Sequence, residues 1–242
     1  GCSIVFHLAA QAGVRRSWGE EFSHYIDSNI LATQKILEAL REMKDIRLVY
    51  SSSSSVYGET RDLPMKEDHR LRPVSPYGAT KLAGEDLCEL YYHNFGVRYA
   101  ALRYFTVYGP RQRPDMAFSR FITAAFRGGT IEVYGDGKQT RDFTFVSDAV
   151  EANVLASDYE GGERIFNIGG GSRVSVLEVL DIIREETGCG LDIEHTGRAS
   201  GDVTDTWADT ALARSELGFV PRTRLEEGLA KEVEWYRNHL GI

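Results

Sequence analysis

Only three cysteines occur in the sequence, Cys2, Cys88 and Cys189, with no Cys-x-x-Cys pair and no metal-ligand spacing. No disulfide framework or zinc ribbon is expected, and the thiols read as incidental ones in a reducing, cytoplasmic compartment. No apolar run approaches the ~20 residues of a membrane-spanning helix, and the opening residues do not read as a signal sequence. Positive charge is short as well: 36 acidic residues against 28 basic ones leave a net charge of −8. That argues against a nucleic-acid surface, although a few local cations suffice for a small anionic ligand. A Gly-x-Gly-x-x-Gly turn is also missing. The one glycine cluster of that kind, Gly169-Gly170-Gly171-Ser172, has the wrong spacing and no suitably placed acidic residue after it. Ser175 and Glu178 form a capping box just beyond it, so the segment reads as structural.

What is present is ordinary soluble material. The 242 residues, 42% hydrophobic and 26% charged, suffice for one substantial core or a main domain with an appendage. Short apolar runs at 3–8, 46–50 and 97–105 read as buried parallel strands. Between them, 17–41 and 75–94 read as helices, the second opened by Ser75-Pro76 and closed by Gly96. Asn29 sits inside the first helix, where solvent exposure is the plain explanation. After Phe105 the elements shorten. A Gly-, Pro- and Arg-rich loop at 106–114 precedes a helix at 118–127 and a strand at 130–134. A turn at 135–143 follows, with a strand after it and a helix at 148–157. A strand at 164–168, a helix at 176–187, a strand at 191–195, a loop at 198–209 and an amphipathic helix at 225–240 complete the chain. The fold class expected is α/β. A Rossmann-like parallel sheet (1–105 plus 143–168), N-terminally incomplete, carries a smaller interleaved α/β substrate-binding lobe (106–142 plus 169–242).

One stretch organises the chemistry. In Pro76-Tyr77-Gly78-Ala79-Thr80-Lys81, Tyr77 and Lys81 are four apart and share a helix face. A phenol titrates near ~10, and an ammonium within a few ångströms favours the phenolate, so the pair makes a sensible proton acceptor. The five serines Ser51 to Ser55 end the preceding strand, where hydroxyls are well placed for a ligand. Ala9 and Ala10 end the strand before that, where small side chains let a ligand approach the backbone. All three would lie on the carboxyl edge of one sheet.

With His7-Leu8-Ala9-Ala10, Tyr50-Ser51-Ser52-Ser53, Val56-Tyr57-Gly58, Leu102-Arg103-Tyr104-Phe105, Arg141-Asp142-Phe143 and Gly201-Asp202-Val203, this ordered set resembles the extended short-chain dehydrogenase/reductase family. The likeness is closest to its NAD-dependent nucleotide-sugar epimerases and dehydratases, and it spans nearly the whole chain. The resemblance implies NAD as cofactor, a UDP-sugar as substrate and a homodimer through the helices around Asn29 and Lys81. It also implies that roughly 70 residues, two to three βα units with the pyrophosphate turn, precede this sequence in the full polypeptide. Tyr77 would be the catalytic base and acid, Lys81 the residue that lowers its pKa and bonds the nicotinamide ribose, and Ser53 the proton relay. Leu8, Ala9, Ala10, Asn29, Ser51, Tyr104 and Phe105 would line the cofactor. Arg141 would bind the diphosphate and Asp202 the nucleotide ribose. The arginine usual three residues before that Asp is Ala199 here, with Arg198 one earlier.

Dehydratases of the family carry Asp-Glu after the catalytic Ser/Thr, and the UDP-glucuronate decarboxylases a Glu at the second position. Here both positions are serines, Ser54 and Ser55. With no additional acid, a 4-keto sugar turns over and takes hydride back on its other face, which is 4-epimerisation. Thr106 stands where epimerases of neutral UDP-hexoses generally have Asn. The stretch through Arg113 looks like the UDP-glucuronate 4-epimerases, with Ser52, Ser53, Ser54, Thr106 and Arg113 expected around the C5 carboxylate. The other readings are a UDP-glucose or UDP-N-acetylhexosamine 4-epimerase, a decarboxylase or dehydratase, and a catalytically silent sugar-nucleotide sensor. No metal is expected.

Overall fold

The structure, a computed structural model, describes residues 1–197 and 200–240. Four strands make a parallel sheet in the order β1-β2-β3-β7. They are β1 (Ile4–His7), β2 (Arg47–Ser53), β3 (Arg98–Tyr104) and β7 (Ile165–Ile168). β2 is buried along its whole length. Its residues alternate between two faces, as strand geometry requires. Leu48 and Tyr50 pack with Leu37, Leu40, Cys88 and Val97. Val49 packs on the other side with Leu102, Ala152, Ala156, Phe166 and Phe219. A sheet covered by helices on both faces explains why its strands read as continuous apolar runs.

The helices come in chain order: α1 (Phe22–Tyr25), α2 (Ala32–Leu40), α3 (Pro76–Phe95), α4 (Ala117–Arg127), α5 (Val146–Asp158), α6 (Val176–Thr187) and α7 (Leu225–Leu240). The Ser75 hydroxyl caps α3 by accepting from the Gly78 amide at 3.1 Å, and Gly96 ends it at φ 72°. α3 lies tight on β2. A Cβ at Gly84 would come 2.0 Å from the Tyr50 hydroxyl. The expected helix over 17–41 is not continuous. Two short turns lead into α1, and a π-helical turn, Ile26–Leu31, separates α1 from α2. Asn29 lies within that π turn and is buried, so solvent exposure does not account for it.

The smaller lobe holds two further sheets. β4 (Thr106–Tyr108), β6 (Thr140–Phe145) and β8 (Arg173–Ser175) form one, and β5 (Thr130–Tyr134) pairs in parallel with β9 (Asp192–Thr196) in the other. β4 falls where the sequence suggested only loop, and β6 starts inside the expected turn. Both owe their regularity to partners far along the chain. Thr106 pairs Phe143 across β4 and β6, and Arg141 pairs Val174 across β6 and β8. A strand of three residues made by distant pairing leaves no periodicity to read. A core of Tyr108, Phe118, Phe121, Phe143, Phe145, Leu229 and Val233 fills this lobe.

A buried ion pair joins the sheet to α3. Arg103 of β3 is 1% exposed and Glu85 of α3 is 3% exposed. The guanidinium forks onto the carboxylate at 2.8 and 3.0 Å. The Ser52 hydroxyl donates to the same carboxylate. On its other side, Arg103 donates to the Tyr57 hydroxyl at 2.9 Å and the Glu67 carbonyl at 3.0 Å. Tyr57 passes the chain on to Asn167 of β7 at 2.6 Å. Removing one partner of such a pair strands the other charge without water. Glu85→Ala should therefore cost about 3–5 kcal/mol of stability. Urea unfolding checks this, and an unchanged midpoint would refute it.

Candidate active site

Tyr77 stands in the first turn of α3, with Lys81 one turn behind it, and Ser53 ends β2 alongside. The Tyr77 phenol is pushed up by burial. The neighbouring Ser53 hydroxyl and the charge of Arg113 act the other way. The ring meets Tyr25 edge-on, with centroids 6.3 Å apart. Lys81 is 3% exposed. Its ammonium donates to the Ser51 carbonyl at 2.7 Å and lies 5.2 Å from the centroid of the Tyr50 ring. Burial lowers the Lys81 pKa to about 8. The groups that hold the phenol down against burial are thus Ser53 and Arg113, where the sequence pointed to Lys81. The His7 imidazole, bonded to Thr33 at 2.9 Å, is lowered to about 4 by burial and by the Lys81 charge.

The strand pleat sorts the serine run. Ser51 and Ser53 face one way and Ser52 the other. The structure therefore does not bring Ser52 to the side of Ser53: it is buried, and its hydroxyl serves Glu85. The correction has a simple cause, since β2 continues through three serines and alternates while it does so. Ser54 and Ser55 follow in a short helical turn, half-buried, with the Ser55 amide donating to the Ser53 hydroxyl at 3.1 Å.

Leu8 and Ala9 are exposed and Ala10 is half-buried at the carboxyl end of β1. The backbone there forms an open shelf. The loop after it is tied down by Asn29, which accepts from the Gln11 amide at 2.8 Å and donates to the Gln11 carbonyl at 3.0 Å and the Thr80 hydroxyl at 2.9 Å. The Thr80 hydroxyl in turn donates to the Tyr77 carbonyl at 2.8 Å. Asn29 therefore joins the shelf to the first turn of α3. The Ser51 hydroxyl and the Tyr104 phenol are buried without a hydrogen-bond partner among the described residues, and orphaned polar atoms of this kind mark a place where a ligand group fits. Phe105 is fully buried with Val56, Tyr57, Met65 and Ala208, so its ring is core. The shelf, these orphaned hydroxyls and the Tyr77/Lys81 pair fit the nicotinamide half of a dinucleotide. The glycine cluster is structural, as the capping box suggested: Gly170 donates to Asp142 at 2.7 Å, and the Ser175/Glu178 box caps α6.

The remaining polar residues line two cavities. One, of about 740 Å³, is walled by Gln11, Ala12, Arg16, Arg113, Asp115 and Arg120. Arg113 is paired bidentately with Asp115 at 2.7 and 3.0 Å. The other, of about 390 Å³, includes Tyr134, Lys138, Arg141, Arg173 and Asp202. Arg141 already donates to the carbonyls of Thr140, Val203 and Thr204 at 2.8, 2.7 and 3.0 Å, leaving two of its five N–H groups. Asp202 pairs with Arg15 at 2.8 Å, and Arg15 also stacks on Tyr134. Thr106 opens β4, half-buried. Arg198 and Ala199 lie outside the described residues. Sequence reasoning missed Arg15, for which there was no signal, and Glu85, for which there was one. Tyr77, Lys81 and Glu85 repeat at four-residue spacing on α3.

The family model described as the NAD dependent epimerase/dehydratase family matches residues 1–169. The uncharacterized UDP-glucose epimerase YtcB of Bacillus subtilis (strain 168) is 44% identical over 237 residues, which is 97% of this chain and 74% of that protein. The UDP-glucuronate 4-epimerase of Thermodesulfobacterium geofontis (strain OPF15) is 38% identical over 242 residues, 99% of this chain and 74% of that one. Among solved structures, the UDP-glucuronic acid 4-epimerase of Bacillus cereus in complex with UDP-glucuronic acid and NAD superposes with a TM-score of 0.93 at 39% identity. That alignment covers 98% of this chain and 76% of the other.

Asn29→Ala would leave the Gln11 amide and carbonyl and the Thr80 hydroxyl without their partner. It should cost about 1–3 kcal/mol and loosen the shelf and the Tyr77 turn together. A calorimetric melt reads the first effect and hydrogen exchange at Gln11 and Thr80 the second. Unchanged exchange at both would remove Asn29 from the site.

Proposed function

This chain belongs to the NAD dependent epimerase/dehydratase family, and on that premise we propose that it is a UDP-sugar 4-epimerase interconverting UDP-glucuronate and UDP-galacturonate. The observation that carries the reading is the surroundings of Ser53. A hydroxyl beside Tyr77 is followed by two further hydroxyls, Ser54 and Ser55, and by no carboxylate. Bound NAD supplies the exchange of hydride at sugar C4. Tyr77, through Ser53, removes the proton of the 4-hydroxyl and later returns it, and the Lys81 ammonium holds the ribose hydroxyls beside it. Ser54 and Ser55 cannot protonate a leaving hydroxyl or remove a C5 proton at neutral pH. The 4-keto sugar is therefore left to turn over and be reduced on its other face.

The finer substrate choice rests on Thr106 and Arg113. A 4-keto uronate is a β-keto acid and loses CO₂ readily, so its carboxylate has to be held out of the geometry for loss. Arg113 presents a planar fork suited to a carboxylate, and Asp115 occupies that fork in the free protein. The substrate carboxylate would take the place of Asp115. Ser54 and Thr106 would add hydroxyl donors. Lys138, Arg141 and Arg173 supply cationic character for a diphosphate in the second cavity, and Asp202 an acceptor for the ribose. A neutral UDP-hexose is the second reading, favoured by the name of the Bacillus subtilis relative. A homodimer through α3 and the helical segment around Asn29, where Leu90 and Leu31 are exposed, and a cytoplasmic location, supported by three free thiols, complete the proposal.

Incubation of the full-length protein with NAD and each of three UDP-sugars (glucuronate, glucose, N-acetylglucosamine) tests the reading. UDP-galacturonate should accumulate from the first, with no stable 4-keto product. Exclusive turnover of a neutral sugar would overturn the substrate choice. Tyr77→Phe should lower kcat by about 10²–10⁴-fold. Arg113→Ala should raise the KM for UDP-glucuronate by about 10–100-fold and release a UDP-pentose with CO₂, from the ~1.5–3 kcal/mol of a charged hydrogen-bonded contact. If Arg113→Ala and Thr106→Ala both leave KM unchanged and release no pentose, the carboxylate assignment is wrong.

A further inference from the structure

α7 buries a carboxyl group that the reaction does not use. Glu232 is 0% exposed. Neither of its oxygens has a hydrogen-bond partner among the described residues. The polar group nearest in effect is the backbone amide of Gly109, at the end of β4. One turn along α7, the Tyr236 hydroxyl donates to Ser119 at 2.6 Å and lies 3.4 Å from the Gln112 carbonyl oxygen. Gln112 bonds the Gly109 carbonyl at 3.1 Å through its amide and accepts from the Ser119 amide at 3.1 Å through its side chain. The segment from Gly109 to Asp115 therefore rests on α7 at two places four residues apart. On the opposite side it is closed, since a Cβ at Gly109 would come 2.7 Å from Val146. This segment carries Arg113.

We propose that Glu232 is a positioning residue for the 109–115 segment: its protonated carboxyl keeps α7 seated against Gly109 and so sets Arg113 at the sugar pocket, and loss of that proton unseats the segment. The role given to Arg113 rests on the function proposed above; the seating of the loop does not. An ionised carboxylate at this place would have no countercharge and no water, a condition relieved only by opening the packing around it. The groups that share its surroundings cannot supply one. Tyr108 of β4 and Tyr236 of α7 feel its charge, and Asp148 of α5, Glu226 and Glu227 act on the same Tyr108. Lys231 is paired with Glu227, Arg120 of α4 with Glu132 and Arg184 of α6 with Asp181. In β6, Arg141 is turned to backbone carbonyls and Asp142 to the amides of Gly170 and Ala208. Burial pushes the Glu232 carboxyl up to about 8. The folded chain thus keeps a proton that the unfolded chain gives up near ~4.5, and stability is lost as pH rises between those values.

The test compares the wild type with Glu232→Gln, which keeps the shape of the protonated form and cannot ionise. From about pH 7 to 9 the seated fraction of the wild type falls as the carboxyl ionises, so its KM for UDP-glucuronate should rise several-fold. In Glu232→Gln the KM should stay level, while the pH dependence of kcat, set by Tyr77, is shared by both proteins. Trypsin cleavage after the exposed Arg111 provides a readout without substrate. The ratio of wild-type to Glu232→Gln cleavage rates should climb over the same range. Glu232→Met, which removes the ionisation by another route, carries the same expectation should the glutamine variant fail to fold. Equal rises of KM and equal cleavage in wild type and variant overturn the proposal. Turnover of UDP-glucuronate with that result would leave the functional reading intact. A Glu232-dependent cleavage difference without any turnover would do the reverse.

Discussion

The contact between Arg103 and Glu85 carries more of this architecture than its size suggests. Arg103 belongs to β3 and Glu85 to α3, and their carboxylate also receives the Ser52 hydroxyl of β2. Three elements thus meet at one ion pair, and all three contribute to the site. α3 brings Tyr77 and Lys81, β2 brings Ser53, and β3 runs on through Phe105 to Thr106. A pair removed from water is a poor source of net stability. It does tolerate few alternative arrangements, because any slip between helix and sheet would leave a charge stranded. The distance from the Tyr77 phenol to the Ser53 hydroxyl depends on that intolerance.

The same low-dielectric surroundings shape the chemistry. Burial works against both members of the Tyr77/Lys81 pair, raising the phenol and lowering the ammonium. Spacing on a helix ensures that two side chains share a face, and it says nothing of what surrounds them. Here the ammonium turns to the Ser51 carbonyl, and the phenol is served by Ser53 and Arg113. In the function proposed above, the cationic nicotinamide ring of bound NAD would complete the electrostatics of the phenolate. Arg113 and Asp202 show the same economy: each is matched to an internal partner, Asp115 and Arg15.

Much of the sheet and the placement of Tyr77, Lys81 and Ser53 could be read from the residues, because they depend on local signals. Apolar runs mark β1, β2 and β3, Ser75 and Pro76 mark the start of α3, and Gly96 marks its end. What escaped reading depends on partners distant in the chain. β4, β6 and β8 are strands because of each other; β4 and β8 have three residues each, too few to show a period, and the start of β6 lies in a polar stretch that reads as turn. Asn29 was legible in part: helix spacing sets it among Ile26, Ile30, Leu37 and Leu40 on the apolar face, but only the folded chain shows that Gln11 and Thr80 are the partners that satisfy it there. Nothing in the amphipathic pattern of 225–240 distinguishes Glu232 from the other acids there, and the packing of α7 on β4 shows that it has no water.

The serine run has a consequence of its own. Ser51 to Ser55 are chemically identical, yet Ser52 serves a structural carboxylate while Ser53 faces the phenol. Nothing in their composition distinguishes them; their address along the β2 ladder does, through the pairing of Ser53 with Tyr104. The segment is therefore tolerant of exchange among small hydroxyl residues and intolerant of changes in count. Deleting a single serine would leave serines at positions 52 and 53, because the run refills them, and would instead draw Val56 and Tyr57 one residue toward the end of β2. The lesion would fall on the turn after the strand and on the contact of Tyr57 with Arg103, away from the serine that was removed.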